Sequence, residues 1–403
     1  MTGDRSFRGD ESVEIQPFGV VRNMESSIMY SLDCFCGTLS KLRHKLRSSR
    51  ERSCFVHAER QERVESVYSH KAAEAPQEST VFLYGLLDTE DNLTIMIAIT
   101  KEQLAQAVYE AIPRIACVLP HDVRKALESA RAAESNARGA VVLDQLLENA
   151  DIAERDHVPI CQDTGTVWVC LEIGPDVSVA GDVFAQVNDA VARAYTEAHL
   201  RKSVVRDALL DRSNTGDNTP AFTDIHCVDT PGARVHVLLK GGGSDNASRV
   251  TMLTPGAGRE GIISELLDCV RHKAANACPP LVIGVGIGGT FDKVAGMAKS
   301  ALLRKIGTPA SDARVAKFEQ ELLETVNATG MGPGALGGKT LALAVHVNTA
   351  PCHIAALPLA INMGCSAMRR TTVELVDSSC EVLDAASASE GVCSGALNLR
   401  RGE

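Results

Sequence analysis

Residues 278–305 read CPPLVIGVGIGGTFDKVAGMAKSALLRK, and their pattern decides how the rest of the chain is read. Leu281–Val285 is a short β-branched and aliphatic run that follows two prolines, the signature of a buried strand. The glycine run after it leads into Asp292–Lys305, where apolar residues recur at helical spacing. Strand, glycine run and helix in succession describe one step of an alternating α/β chain. Working outward, Thr166–Ile173 (TVWVCLEI) and Arg234–Leu239 read as strands, the second entering Gly241-Gly242-Gly243. Val183–Leu200, Glu260–Lys273 and Ala313–Asn327 read as helices, and Leu341–Val347 and Thr372–Val376 as strands.

Upstream of these, Thr100 and Gln103 form a capping box ahead of Leu104, Val108 and Ile112. Asp122 is placed to cap a second helix carrying Val123 and Leu127, and Val142, Leu146 and Leu147 mark a third. The expected fold is therefore mixed α/β (α+β). A mainly helical layer over 96–157 packs on a mixed-sheet domain over 158–403, with no internal repeat.

Residues 1–95 differ in character. They are rich in Ser, Arg and Glu, and include the basic run KLRHKLRSSRERS at 41–53. Acidic Asp4, Asp10, Glu11 and Glu14 argue against a transit peptide. The reading is a poorly structured extension, with the functional protein starting near Met96.

The chain has 403 residues, 45% of them hydrophobic but only 4% aromatic, so it can bury a large aliphatic core. Mean hydropathy is near zero. The longest apolar runs are too short to span a bilayer. A net charge of −10 argues against nucleic acid as a partner and requires an anionic substrate to find local cations. The 13 cysteines include no C-x-x-C pair, which disfavours a structural zinc site, and their number and context read as cytoplasmic thiols.

Three of those thiols stand in phrases rich in Gly, Pro and apolar residues: Cys161 in PICQDTG, Cys278 in NACPPLVIG and Cys365 in LPLAINMGC. Such phrases make tight turns beside buried strands, a way to present a ligand to iron or zinc, though an isolated cysteine is more often a core filler. Asp163 is a turn-capping residue or a proton-transfer group beside a metal ligand. His353 is a core histidine or a catalyst. Lys240-Gly-Gly-Gly-Ser244 is a hairpin turn or a backbone cradle for a carboxylate, and Ser213–Pro220 reads first as a solvated loop. Gly284-Val-Gly-Ile-Gly-Gly289 fits G-x-G-x-x-G between a strand and a helix, so a nicotinamide-dependent oxidoreductase is one alternative.

Together, PICQDTG, SNTGDNTPA, KGGGSDNASRVTMLTPGAG, CPPLVIGVGIGGTFD and HIAALPLAINMGCSA resemble the iron–sulfur hydro-lyases: class I fumarate hydratases and L(+)-tartrate dehydratases. The resemblance is to the alpha subunit, or N-terminal half, and runs from about Met96 to the C-terminus. It implies a 4Fe-4S cluster on Cys161, Cys278 and Cys365, with one iron left open as a Lewis acid for reversible addition or removal of water on a small dicarboxylate. It implies substrate contacts from Gln162, Asp163, Arg201 and Gly243, and catalytic roles for Asp163 and His353. The family's catalytic base and further Arg and Lys ligands belong to a beta subunit, so the resemblance implies a hetero-oligomer of two alpha and two beta subunits. A non-catalytic cluster-binding subunit is the other alternative.

Overall fold

The computed structural model describes residues 84–87, 93–376 and 379–382. Nearly all of the expected N-terminal extension lies outside the described residues. The first described element is β1 (Tyr84–Leu87), antiparallel to β2 (Leu93–Ile99) with Tyr84 opposite Met96. β2 therefore runs through Met96.

Three helices follow: α1 (Lys101–Cys117), α2 (His121–Ala133) and α3 (Ala137–Asp156). The capping box on α1 forms as its sequence requires. Thr100 Oγ1 accepts the Gln103 N–H at 3.1 Å, and Gln103 Oε1 accepts the Thr100 N–H at 3.0 Å. Leu104, Val108 and Ile112 are fully buried. Asp122 does not cap α2, whose N-cap is Pro120 with no side-chain bond. Its carboxylate turns inward instead, 2.6 Å from Arg370 Nη2, and accepts the Ile306 N–H at 2.7 Å. Burial acts to raise the Asp122 pKa, but the Arg370 hydrogen bond and charge outweigh it and hold the carboxyl below the usual range.

The remaining elements are β3 (Thr166–Ile173), β4 (Val177–Val179), α4 (Val187–Glu197), β5 (Phe222–Cys227), β6 (Ala233–Lys240), the short α5 (Gly242–Asn246), β7 (Arg249–Leu253) and α6 (Gly258–Lys273). They continue through β8 (Leu281–Gly289), α7 (Phe291–Ala301), α8 (Ala313–Asn327), β9 (Ala342–Cys352), β10 (Leu357–Gly364), β11 (Arg370–Val376) and β12 (Ser379–Val382). One sheet has the order β12-β11-β6-β3-β5, a second β7-β10-β8-β9, and a small one β1-β2-β4. Each mixes parallel and antiparallel pairs or joins such a pair to its neighbour, as in β3–β5 parallel beside β3–β6 antiparallel. The mixed α+β expectation is met.

β3 carries apolar residues on both sides because both sides are covered. Val167, Val169 and Leu171 pack with Val235, Val237 and Leu239 against α1 and α4. Trp168 and Cys170 face the other way, with Leu127 of α2, Leu143 of α3, and Val282 and Ala344 of the second sheet. That second sheet buries Leu281, Ile283, Val285 and Ile361 against Leu266 of α6 and Leu322 of α8.

The strand expected over Leu281–Val285 continues to Gly289. The glycines therefore lie within the strand. A Cβ on Gly284 would sit 2.1 Å from Ala298 O, and one on Gly286 2.4 Å from Val294 O. Glycine here lets α7 lie directly on β8, and no phosphate-binding turn forms between strand and helix. The nicotinamide alternative loses its only footing.

The two larger sheets place several chain ends together. Thr166 opens β3 opposite Lys240, which closes β6. Gly364 closes β10 opposite Val282, near the start of β8. Cys161 precedes β3, Cys278 precedes β8, and Cys365 follows β10.

Candidate active site

The three phrases meet. The Cys278 carbonyl accepts the Ser366 N–H at 3.0 Å, which fixes the second thiol-bearing turn against the third. Packing around its sulfur, then the neighbouring Cys365, Cys161 and Asp163, push the Cys278 thiol above its ordinary range. Cys278 holds a left-handed backbone at φ 54°, a conformation that costs a non-glycine residue energy and gathers at functional turns. Cys161 and Cys365 are half-buried, and Cys161 Sγ donates to Gln162 Oε1 at 3.1 Å.

Asp163 is the pivot of the arrangement. Its Oδ1 accepts the Gly165 N–H at 3.0 Å and its Oδ2 the Gly242 N–H at 2.8 Å, so the PICQDTG loop and the glycine turn share one carboxylate. Gly165 has φ +79°, and a Cβ there would fall 2.8 Å from the Lys240 carbonyl, so glycine is required on both counts. A Cβ on Gly243 would come within 3.0 Å of Asn276 O, so the turn also lies close to the segment that carries Cys278. Arg201 is exposed, and its carbonyl accepts the Thr164 hydroxyl at 2.6 Å. The structure thus gathers Cys161, Gln162, Asp163, Arg201, Gly243, Cys278 and Cys365.

His353 stands apart from them. It is exposed in the turn before β10, where its Nδ1 accepts the Ala355 N–H at 3.1 Å. Cys365 follows the opposite end of that eight-residue strand. At about 3.3 Å per residue the two are separated by a full strand length.

Four further residues hold the site together, two of them, Lys240 and Asn218, within phrases that the sequence singles out. Asn218, fully buried with φ 67°, accepts the Ser203 N–H at 2.6 Å and donates to the Gly165 carbonyl at 3.1 Å. The Ser213–Pro220 phrase is therefore anchored in part, through Asn218, rather than solvated throughout. The buried Tyr195 hydroxyl donates to the Thr164 carbonyl at 2.8 Å, and burial pushes its pKa up. Lys240 is buried at the end of β6, and Arg369 donates to the Asp163 carbonyl. The D-N-T-P and G-C-S-A-M-R phrases were the available signals, but Arg369 acts through a backbone oxygen, which leaves no pattern in sequence.

The donor set fits an iron–sulfur cluster. Three thiols from separate turns are soft ligands, and Cys365 and Cys161 both act on the Cys278 sulfur. Among the described residues no three His, Cys, Asp or Glu side chains close on a single ion. Thiols spread around a cluster need not converge on one point. The glycine turn and the unpartnered, buried Arg369 Nε leave donors beside them.

Comparison with known proteins gives the family. The profile of the fumarate hydratase (Fumerase) family matches residues 105–374. The chain belongs to that family and is a hydro-lyase. It is 38% identical over 274 residues to a Methanocaldococcus jannaschii protein bearing the name of an L(+)-tartrate dehydratase subunit alpha, covering 66% of this chain and 96% of that one. It is 30% identical over 275 residues to the L(+)-tartrate dehydratase subunit alpha of Escherichia coli K12, covering 67% and 90%.

Proposed function

We propose that this chain is the alpha-type subunit of an iron–sulfur hydro-lyase acting on a small dicarboxylate, either fumarate/malate or L(+)-tartrate/oxaloacetate. The observation that carries the reading is the meeting of Cys161, Cys278 and Cys365 beside Asp163 and the glycine turn. In this reading the three thiolates hold a 4Fe-4S cluster. When bound, its open iron supplies a Lewis acid for the substrate hydroxyl and an adjacent carboxylate.

The chain's own residues do the rest. Arg201, exposed and tethered through Thr164, pairs with a substrate carboxylate. Gln162 and the Gly243 turn orient the same ligand. Asp163, held by two N–H groups, is set to pass a proton. In dehydration, a C–H proton and the neighbouring hydroxyl leave together as water. Fumarate then forms from malate, or an enol that becomes oxaloacetate from tartrate.

The base that takes the carbon proton, with further Arg and Lys, comes from a beta-type partner in an assembly of two alpha and two beta chains. The relatives' names as alpha subunits support such a partner and favour L(+)-tartrate as the first substrate to try. His353 reaches a substrate only if the assembly brings it to the site of another chain. The described cysteines are all unpaired, and among the described residues no helix is long and apolar enough to cross a membrane. Free thiols support a cytoplasmic setting.

The test is anaerobic co-expression with the beta-type chain, then assay with L(+)-tartrate, fumarate and malate. Turnover of one of them, with Arg201→Lys raising KM, is expected. No turnover of any would leave a cluster-binding subunit without catalysis.

A further inference from the structure

Lys240 and Arg369 are only 3% and 1% exposed. A buried cation is costly unless hydrogen bonds and charges compensate, and an apolar side chain of similar volume fills such a place at lower cost. Their contacts give the reason for their presence. Arg369 precedes β11 and lies beside Leu239, the neighbour of Lys240 at the end of β6: the Leu239 N–H donates to the Arg369 carbonyl at 3.0 Å.

Lys240 Nζ donates to Ser244 Oγ at 2.9 Å and to the Met363 carbonyl at 2.7 Å, and lies 3.4 Å from Asp245 Oδ1. Ser244 Oγ in turn donates to the Gly241 carbonyl at 3.0 Å. One ammonium therefore ties the glycine turn to the strand end two residues before Cys365. Arg369, four residues after Cys365, donates from Nη1 to the Asp163 carbonyl. Its Nη2 and Asp163 Oδ2 each lie 3.3 Å from where a Gly241 Cβ would stand. Asp163 Oδ2 accepts the Gly242 N–H, so the contacts close a ring: Asp163, turn, Lys240, Cys365 segment, Arg369 and Asp163 again.

We propose that Lys240 and Arg369 are positioning residues, two buried cations that clip the glycine turn and the Asp163 loop to the segment bearing Cys365. The roles assigned to that turn and loop rest on the proposed hydro-lyase function; the clip itself does not. Lys240 acts on the turn that faces a substrate carboxylate. Arg369 acts on the loop that carries the proton-transfer group.

The first test needs no iron. In hydrogen–deuterium exchange of the full chain, Lys240→Met speeds amide exchange over 241–248, and Arg369→Met over 163–166, by about tenfold or more, while α8 keeps wild-type rates. Should Lys240→Met fail to fold, Ser244→Ala removes one end of the same link and raises exchange over 241–248 alone. Wild-type rates in both segments, or a rise spread evenly over α8, would overturn the clip.

The second test uses the iron-reconstituted complex with its beta-type chain, with L(+)-tartrate and fumarate as substrates. Lys240→Met raises KM several-fold more than it lowers kcat. Arg369→Met lowers kcat, and Arg369→Lys restores part of it. Equal loss of kcat at unchanged KM in both variants, the mark of fewer active molecules, would overturn the positioning roles. A wild-type complex without turnover would count against the functional reading and leave the exchange result standing.

Discussion

Replacing Asp122 by Ala leaves a buried guanidinium without its carboxylate. The side chains of Arg370 and Asp122 are 3% and 15% exposed, and their closest atoms are 2.6 Å apart. Arg370 Nε still donates to the Leu302 carbonyl at 2.8 Å, so the charge keeps some partners but loses its counter-ion. The Ile306 N–H loses its acceptor as well. Removing one member of a buried pair costs about 3–5 kcal/mol, and that is the loss expected for Asp122→Ala. Asp122→Ala with Arg370→Met should be less destabilised than Asp122→Ala alone, because no orphan charge remains. Urea unfolding followed by fluorescence reads this cleanly: Trp168 is the only tryptophan and is 2% exposed. The pH dependence has a defined sign. The folded pKa of Asp122 lies below its unfolded value, so the stabilisation is fully present above the unfolded value of about 3.9 and is lost as pH falls through the folded one. The gap between wild type and Asp122→Ala should be flat from about pH 5 to 8 and narrow in acid. A gap under about 1 kcal/mol at neutral pH, or one that widens in acid, would refute the assignment.

Gly284→Ala should destabilise by at least about 2 kcal/mol, because its Cβ would meet Ala298 O of α7, whereas Gly296→Ala, with open space around it, should be neutral or stabilising; thermal melts of the two compare them directly. Asn136→Ala should cost about 1 kcal/mol by removing the acceptor for the Arg138 and Gly139 N–H groups at the start of α3, read by urea unfolding. Burial, then Glu172 and Asp224, push the Cys170 thiol up to about 12, so mass spectrometry after mild alkylation near neutral pH should find Cys170 intact and the exposed Cys227 and Cys352 modified.

The helices were legible because their signals are local. The apolar stripe of α1 and its capping box predict its start, and Ala313–Asn327 coincides with α8. β3 was legible because both its faces are buried. β5 was not: every residue of FTDIHC is exposed, and an edge strand without a buried face carries no apolar pattern. β10 lies between β7 and β8, yet Pro358 in LPLAINMG argues against an interior strand. Asp122 carries the sequence mark of a cap, but its partner is Arg370, far along the chain, and a pair across that distance has no local trace. At the candidate site the cysteines stood out only through the phrases around them. Arg369 and Tyr195 stayed hidden, and the roles of Lys240 and Asn218 within their phrases with them, because each grips backbone oxygens, which every residue possesses.

The central claim is that Cys161, Cys278 and Cys365 act as one ligand set. Iron and acid-labile sulfide per chain, measured on anaerobically prepared protein, test it most directly. Cys161→Ser, Cys278→Ser and Cys365→Ser should each lose the cluster or retain it only weakly, while Cys170→Ser, Cys227→Ser and Cys352→Ser should keep wild-type iron and sulfide. Equal iron content across all six variants, or no iron in the wild-type protein, would contradict the account.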